Sequence, residues 1–228
     1  MSFRNNLFIL LTLSAVLSGH HLLNGQTPVS NYFADPQGFG KFGVYYINQP
    51  KIYYCEDYYD LYARRNYYNQ DEICLNILFM QGALKSPWRP AYRALLPLHT
   101  EQEQKKYRDL IRMHLNLRIL QDYLYLGRLY DMQDLYFYHR DFTDDLVKSL
   151  QFAEYYYGIA AGYWIEVKRH AVDAFLMKDV RIGLDTLEDE MNLIVFRDVD
   201  WQFDRIINTH LEKVRQNLER LRKGPDGG

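Results

Sequence analysis

The clearest helical pattern in the chain lies in residues 100–124, which read TEQEQKKYRDLIRMHLNLRILQDYL. Thr100 and Glu103 have the spacing of a capping box, in which each side chain binds a backbone N–H of the first turn. Apolar residues then recur at alternating intervals of three and four, which is the spacing of a heptad seam. They are Leu110, Met113, Leu117, Leu120 and Leu124. The pattern predicts a long helix over residues 101–138.

A second long helix is predicted for residues 143–178, because apolar residues keep the same spacing there. They are Leu146, Leu150, Ala153, Tyr157, Ala160, Trp164, Val167, Ala171 and Ala174. Only a short turn separates the two helices, so they are expected to form an antiparallel hairpin. Gly158 and Gly162, four residues apart, predict a close approach by a neighbouring helix.

The C-terminal residues carry one more seam, formed by Ile207, Leu211, Val214, Leu218 and Leu221. The helical pattern also covers residues 51–85, where two helices with a break near residues 66–69 are expected and one continuous helix is the alternative. No segment has a convincing strand pattern. The predicted fold class is all-α. We expect an elongated helical bundle with a long antiparallel helix hairpin and a coiled-coil-like C-terminal helix.

Residues 1–25 have the pattern of a signal peptide. Arg4 supplies the positive charge, residues 7–17 supply the apolar run, and Ser18 and Gly19 are small residues at which cleavage can occur. We therefore expect an exported, periplasmic protein; a buried helix or an uncleaved anchor is the alternative. Residues 26–50 are expected to be an extended aromatic N-terminal arm, residues 51–223 an all-α domain and residues 224–228 a disordered tail. No later apolar run is long enough to form a transmembrane segment in the mature chain.

The chain has two cysteines, Cys55 and Cys74. An oxidising compartment permits a disulfide, so these two residues are a candidate bridge between neighbouring helices. Two buried free thiols are the alternative. A metal site is not expected, because two cysteines without a nearby histidine do not complete a zinc pattern.

The sequence has no recognisable catalytic constellation. Of the seven histidines, His20 and His21 lie at the end of the signal pattern and the other five are scattered singly; motifs such as HExxH, GxSxG and the phosphate-binding glycine loops are absent. Glu166 and His170 share a helix face, and we interpret them as a surface pair. A net charge of -2 leaves no basic excess for a large nucleic-acid footprint. These observations predict a protein that is not an enzyme and needs no cofactor.

Tyrosine is the unusual component, with 21 residues in 228. Consecutive residues of a helix point about 100° apart, so one core-facing stripe cannot absorb adjacent rings. Tyrosines left at the surface favour protein contacts. The candidate protein-binding residues are Tyr53, Tyr54, Tyr58, Tyr67, Tyr68, Tyr155 and Tyr156. The alternatives are an aromatic core and an aromatic groove for a small ligand.

Three stretches carry a family resemblance: DYYDLYARRNYY at residues 57–68, MHLNLRIL at residues 113–120 and FAEYY at residues 152–156. Over residues 50–178 the chain resembles exported all-helical proteins of spirochaetes, the group that includes the flagellar coiling and flagellar collar proteins. The resemblance implies a non-enzymatic structural role at flagella that rotate in the periplasm. The expected partners are other proteins of that assembly, or further copies of this chain. The second hypothesis is a soluble periplasmic ligand-binding module with an aromatic groove.

Overall fold

The computed structural model describes residues 53–63, 67–131 and 142–223, and in these segments every regular element is helical. The predicted signal peptide, aromatic arm and C-terminal tail lie outside the described residues. The helices are α1 (Cys55–Tyr58), which continues as a π-helical turn (Tyr59–Ala63), α2 (Gln70–Lys85), α3 (Glu101–Tyr130), α4 (Thr143–Phe175), α5 (Asp185–Val195) and α6 (Phe203–Lys223). Short 3₁₀ turns cover Ala91–Arg93 and Val199–Trp201. The predicted all-α class is confirmed.

Local signals set the helix starts where the sequence predicted them. Thr100 Oγ1 accepts a hydrogen bond from the backbone N–H of Glu103 at 3.1 Å, and the Glu103 carboxylate accepts one from the Thr100 N–H at 3.0 Å. This is the predicted capping box of α3. Asn69 caps α2 by accepting a hydrogen bond from the N–H of Asp71, at the predicted break between the first two helices.

The predicted antiparallel hairpin is formed by α3 and α4. The Tyr130 ring lies 5.6 Å from the Phe152 ring at one end of the hairpin, and Asp109 bonds His170 towards the other. The heptad seam of α3 is buried, and so is its second stripe, which contains Ile111, Leu115 and Ile119. Both stripes are buried because α3 packs against α2, α4 and α5.

The C-terminal helix α6 packs antiparallel to α4. Near the start of α6, Phe203 lies against Trp164, with 5.2 Å between ring centroids. Further along α6, Arg215 Nε donates a hydrogen bond to a Glu154 carboxylate oxygen at 2.9 Å, nearer the start of α4. The predicted seam of α6 is buried except for half-buried Leu211. Helix α4 is therefore covered by α3 on one side and by α6 on another. No helix in the described segments is long and apolar enough to cross a membrane.

Cys55 and Cys74 lie on α1 and α2, and both are fully buried free thiols. The structure therefore shows the alternative, two buried free thiols, and not the candidate disulfide. Burial is the main cause that raises the pKa of each thiol to about 12. A thiol that remains protonated at neutral pH reacts slowly, because the thiolate is the nucleophile.

A buried polar pair links α2 to α3. Asn76 Nδ2 donates a hydrogen bond to Asp122 Oδ2 at 2.8 Å, and both side chains are almost completely buried. Burial raises the pKa of Asp122 to about 6, although the hydrogen bond from Asn76 and the charge of Arg118 act in the opposite direction. The Asp122 carboxyl therefore binds its proton more tightly in the folded state than in the unfolded chain.

We expect Asp122→Asn to remove a pH dependence of stability. The folded pKa of about 6 lies above the ordinary value of 3.8, so the contribution of this carboxyl to stability is largest at low pH and declines as the pH rises from about 4 through 6. Asparagine keeps an acceptor for Asn76 but does not titrate. As the pH rises from about 4 to 7, the urea midpoint of the native chain should fall relative to that of the variant.

The exposed carboxyl of Glu212, in the middle of α6, provides the control. The Glu212→Gln variant should keep the native pH dependence across this range. Parallel profiles for Asp122→Asn and the native chain would contradict the raised pKa of Asp122.

Candidate functional site

The structure separates the candidate tyrosines into three groups. Tyr53 and Tyr68 are exposed, with 57% and 75% of their surface accessible. Tyr54, Tyr58, Tyr67 and Tyr155 are half-buried. Tyr156 is fully buried, so its prediction as a binding residue is wrong in this structure. Its ring packs against Tyr123 and Tyr130 of α3, and Tyr157 packs against His210 of α6. Because α4 has two covered sides, neighbouring rings can both be buried.

The exposed tyrosines do not form one patch. The N–H of Cys55 binds the carbonyl of Pro87, so Tyr53 lies near the C-terminal end of α2. Tyr68 precedes the N-terminal end of the same helix, where its carbonyl accepts a hydrogen bond from Tyr125. The 16 residues of α2 span about 24 Å. Tyr58 instead belongs to a half-buried aromatic group with Tyr62 and Phe79.

An exposed apolar face, which the sequence reasoning missed, lies on the C-terminal half of α4 and includes its C-cap residue, Leu176. Ile165, Val172 and Leu176 have 46%, 48% and 77% of their surface accessible. Their spacing of seven and four places them on one side of the helix. We call these three residues the apolar strip. Phe196, also exposed, packs edge-on against Phe175 beside it. The signal was present in the sequence, because Ile165 and Val172 each directly follow a residue of the predicted seam of α4, Trp164 and Ala171.

A polar cleft of about 510 Å³ lies between α3 and α4. Its walls are Glu101, Gln104, Lys105, Arg108, Asp109 and Arg112 from α3, with Arg169, His170 and Asp173 from α4. We call this set the cleft. Its floor is an Asp109–His170 pair, in which His170 Nδ1 lies 2.9 Å from Asp109 Oδ1 and both side chains are buried. The expectation of a surface pair between Glu166 and His170 is therefore wrong, since Glu166 binds Arg169 instead.

Arg169 completes the floor of the cleft. Its Nη2 lies 2.9 Å from His170 Nε2 and 2.6 Å from a Glu166 carboxylate oxygen. An arginine can only donate hydrogen bonds, so His170 accepts at Nε2 and donates from Nδ1 to Asp109. The oxygen and nitrogen atoms of Asp109, His170 and Asp173 lie within 4.8 Å of one another, which also makes them a possible metal-ligand set.

The Trp88 ring supports one wall of the cleft. The guanidinium carbons of Arg108 and Arg112 lie 6.0 and 5.5 Å from its centroid. These are cation–π contacts, which restrain two flexible side chains against one rigid surface. Trp88 itself packs edge-on against buried Tyr107, with 6.0 Å between ring centroids.

Three histidines that appeared isolated in the sequence each meet a carboxylate from another part of the fold. His114 Nδ1 lies 2.6 Å from Glu190 of α5, His170 binds Asp109, and His210 Nδ1 lies 3.1 Å from Asp131. Asp131 also accepts a hydrogen bond from Tyr157, whose pKa is raised chiefly by burial. Burial is likewise the main cause that lowers the pKa of His210. The His114 and His210 pairs connect α5 and α6 to the hairpin and do not open into the cleft.

The described helices define an all-α protein built on a long antiparallel hairpin, with a polar cleft between the two hairpin helices. Residues 102–224 hold all of that hairpin and of the cleft except Glu101, and the whole of α5 and α6. They match the model of a family described as Domain of unknown function (DUF8513), and the chain belongs to this family. No curated protein and no solved structure matches the chain.

Proposed function

We infer that the chain is a non-enzymatic, exported structural or protein-interaction component of a periplasmic assembly. The assembly that the resemblance favours is the spirochaetal periplasmic flagellum, in its sheath, coiling or collar structures, with a role in motility. The single observation that carries the interaction role is the apolar strip on α4.

The strip supports this function because its side chains are costly to leave in water. Isolated apolar residues are common on protein surfaces, whereas an extended exposed apolar patch more often marks an interaction site. Val172 and Leu176 are one turn apart, and Ile165 lies two turns before Val172. Exposed Phe196 enlarges the apolar surface at the same end of α4. Exposed Tyr53 and Tyr68 would add contacts elsewhere on the described helices.

The periplasmic location rests on the residues that have the signal pattern, Arg4 and the apolar run at residues 7–17. N-terminal sequencing of the native protein tests it. A mature chain that begins between residues 19 and 27 is the expected result. An intact Met1 on a cytoplasmic pool would contradict the location without bearing on the apolar strip.

The interaction role is tested by chemical crosslinking of the tagged chain in its native cells. We expect a double substitution, Val172→Gln with Leu176→Gln, to reduce the main crosslinked partner at least about tenfold, because apolar anchors dominate such interfaces. Partner proteins are identified by mass spectrometry, and sedimentation of the purified chain shows whether the partner is a second copy.

A matched control removes two exposed apolar side chains elsewhere, by Leu129→Gln with Val199→Gln. Both double variants should keep the native helicity and melting temperature, and the control should keep the native crosslinks. Equal crosslinking by the strip variant and the native chain would contradict this role for the apolar strip.

The second hypothesis is a ligand-binding module with an aromatic groove, and the cleft supports a ligand-binding module of a different kind. Its lining is polar and charged, and none of the nine residues that form its walls is Phe, Trp or Tyr. A ligand of this chain would therefore be recognised by charge and hydrogen bonds.

A further inference from the structure

We propose that the cleft is a binding site for a small oxyanion ligand, one that carries phosphate or carboxylate groups. The proposal goes beyond the interaction role and does not depend on it, since the cleft and the apolar strip use different residues. It depends on three observations: the charges that line the cleft, the contacts that hold the charged side chains, and the hydrogen bond from Arg169 to His170, one of the possible metal ligands.

Unpaired positive charge is the first observation. Lys105, Arg108 and Arg112 occur at i, i+3 and i+7 on α3, so they share one helix face. Within the described segments, none of the three forms an ion pair with a carboxylate. Like charges at this spacing repel one another and destabilise a helix. An anion bound between them would remove that repulsion.

The opposing charges of the cleft are already engaged or peripheral. The Asp109 carboxylate accepts a hydrogen bond from His170, and an Asp173 oxygen lies 3.8 Å from Arg169. Glu101 is exposed in the first turn of α3, where a carboxylate complements the helix dipole. The available charge in the cleft is therefore positive.

The second observation is that two arginines are held in position. Trp88 holds the Arg108 and Arg112 side chains through cation–π contacts, with 6.0 and 5.5 Å between the guanidinium carbons and the ring centroid. The N–H groups of a guanidinium form a planar fork that matches the two oxygens of a carboxylate or phosphate. Because the ring restrains both side chains before a ligand arrives, less conformational entropy is lost on binding. Arg169 adds positive charge from α4, although its Nε and Nη2 groups already bind the Glu166 carboxylate.

The third observation weighs against a divalent cation. Asp109, His170 and Asp173 have suitable ligand atoms, but Arg169 Nη2 lies 2.9 Å from His170 Nε2 and uses the lone pair that a metal would need. A cation would also have to enter among Lys105, Arg108, Arg112 and Arg169. Coulomb repulsion at such distances disfavours it. Lys105, Arg108 and Arg112, which form no ion pair with a carboxylate in the described segments, instead attract an oxyanion.

Calorimetric titration of the full chain with inorganic phosphate, and separately with the tricarboxylate tricarballylate, tests the proposal in a phosphate-free buffer. At about 0.15 M salt we expect one saturable site for at least one of the two probes. The probe that binds more tightly identifies the phosphate or the carboxylate as the preferred group. The affinity should fall as salt is raised, because the recognition is by charge.

The double substitution Arg108→Gln with Arg112→Gln should weaken binding at least about tenfold, since each removes a charged partner of the anion. The control, Arg205→Gln with Arg220→Gln on the exposed surface of α6, changes the net charge equally and should bind within about twofold of the native chain. The single substitution Lys105→Gln, at an exposed position, gives a second measurement that does not disturb the Trp88 contacts.

Three results would overturn the proposal. One is the absence of saturable binding for both probes. Another is equal binding by the native chain and both cleft variants, which would place any anion elsewhere. The third is tight binding of Zn²⁺ or Mn²⁺ that Asp173→Asn abolishes, which would make the cleft a cation site.

Discussion

Replacing Tyr156 by alanine is expected to destabilise the protein by about 3–5 kcal/mol, the cost typical of truncating a large buried aromatic residue. The Tyr156 ring is fully buried, and its centroid lies 6.1 Å from that of Tyr123 and 5.8 Å from that of Tyr130. Alanine would leave a cavity where α4 meets α3, and rigid neighbouring helices cannot collapse into it completely. Thermal and urea unfolding measure the loss, which should lower the melting temperature by roughly 10 °C.

Tyr53→Ala and Tyr68→Ala are the matched controls, because the same atoms are removed from exposed rings. Each should change the free energy of unfolding by less than about 0.5 kcal/mol, as surface substitutions usually do. If Tyr156→Ala proved as mild as these controls, Tyr156 could not belong to the core, and its earlier prediction as a surface residue would be restored.

Gly127→Ala is expected to destabilise the protein by about 2–3 kcal/mol, although alanine is the better helix former. A Cβ atom at this position would lie 2.5 Å from a carbon of the Tyr157 ring and 2.8 Å from two others. The ring cannot move aside easily, because Tyr157 is fully buried, donates a hydrogen bond to Asp131 and stacks on His210. Equilibrium unfolding in urea should show the loss as a lower midpoint.

Two other helical glycines provide controls for the same substitution. A Cβ atom at Gly162 meets no other atom within 4 Å, so Gly162→Ala should stabilise the protein by up to about 1 kcal/mol through helix propensity alone. At Gly82 the added atom would be 3.7 Å from Tyr58, an ordinary contact, and the change should be close to neutral or favourable. A Gly127→Ala variant as stable as Gly162→Ala would contradict the close approach of Tyr157.

Features encoded by neighbouring residues were predictable from the sequence. The Thr100 and Glu103 capping box, the Asn69 cap and the α3 seam depend on residues within a few positions of one another. Gly162 shows the limit of this reasoning. Its spacing from Gly158 predicted a close helix contact, and that prediction is wrong at Gly162, whose surroundings are open. The glycine that does allow a close approach is Gly127, which has no such motif.

Features assembled from distant residues were not predictable. Asp109 and His170 are 61 positions apart, so no spacing rule connects them, and only the register of the α3–α4 hairpin brings them together. Burial of both Tyr156 and Tyr157 required α4 to be covered on two sides, which the seam of one helix does not reveal. The apolar strip was detectable as a periodic pattern, but its exposure depended on which faces the neighbouring helices cover.

The placement of α3 has a consequence for how the fold opens. Backbone amides exchange their hydrogens with solvent only when the surrounding structure opens, and helices with the most extensive packing open last. Helix α3 packs against α2, α4 and α5, whereas the extensive packing of α6 is against α4 alone. Local opening that exposes the amides of α6 can therefore leave the α3–α4 hairpin folded, while exchange in the middle of α3 requires unfolding of the bundle as a whole.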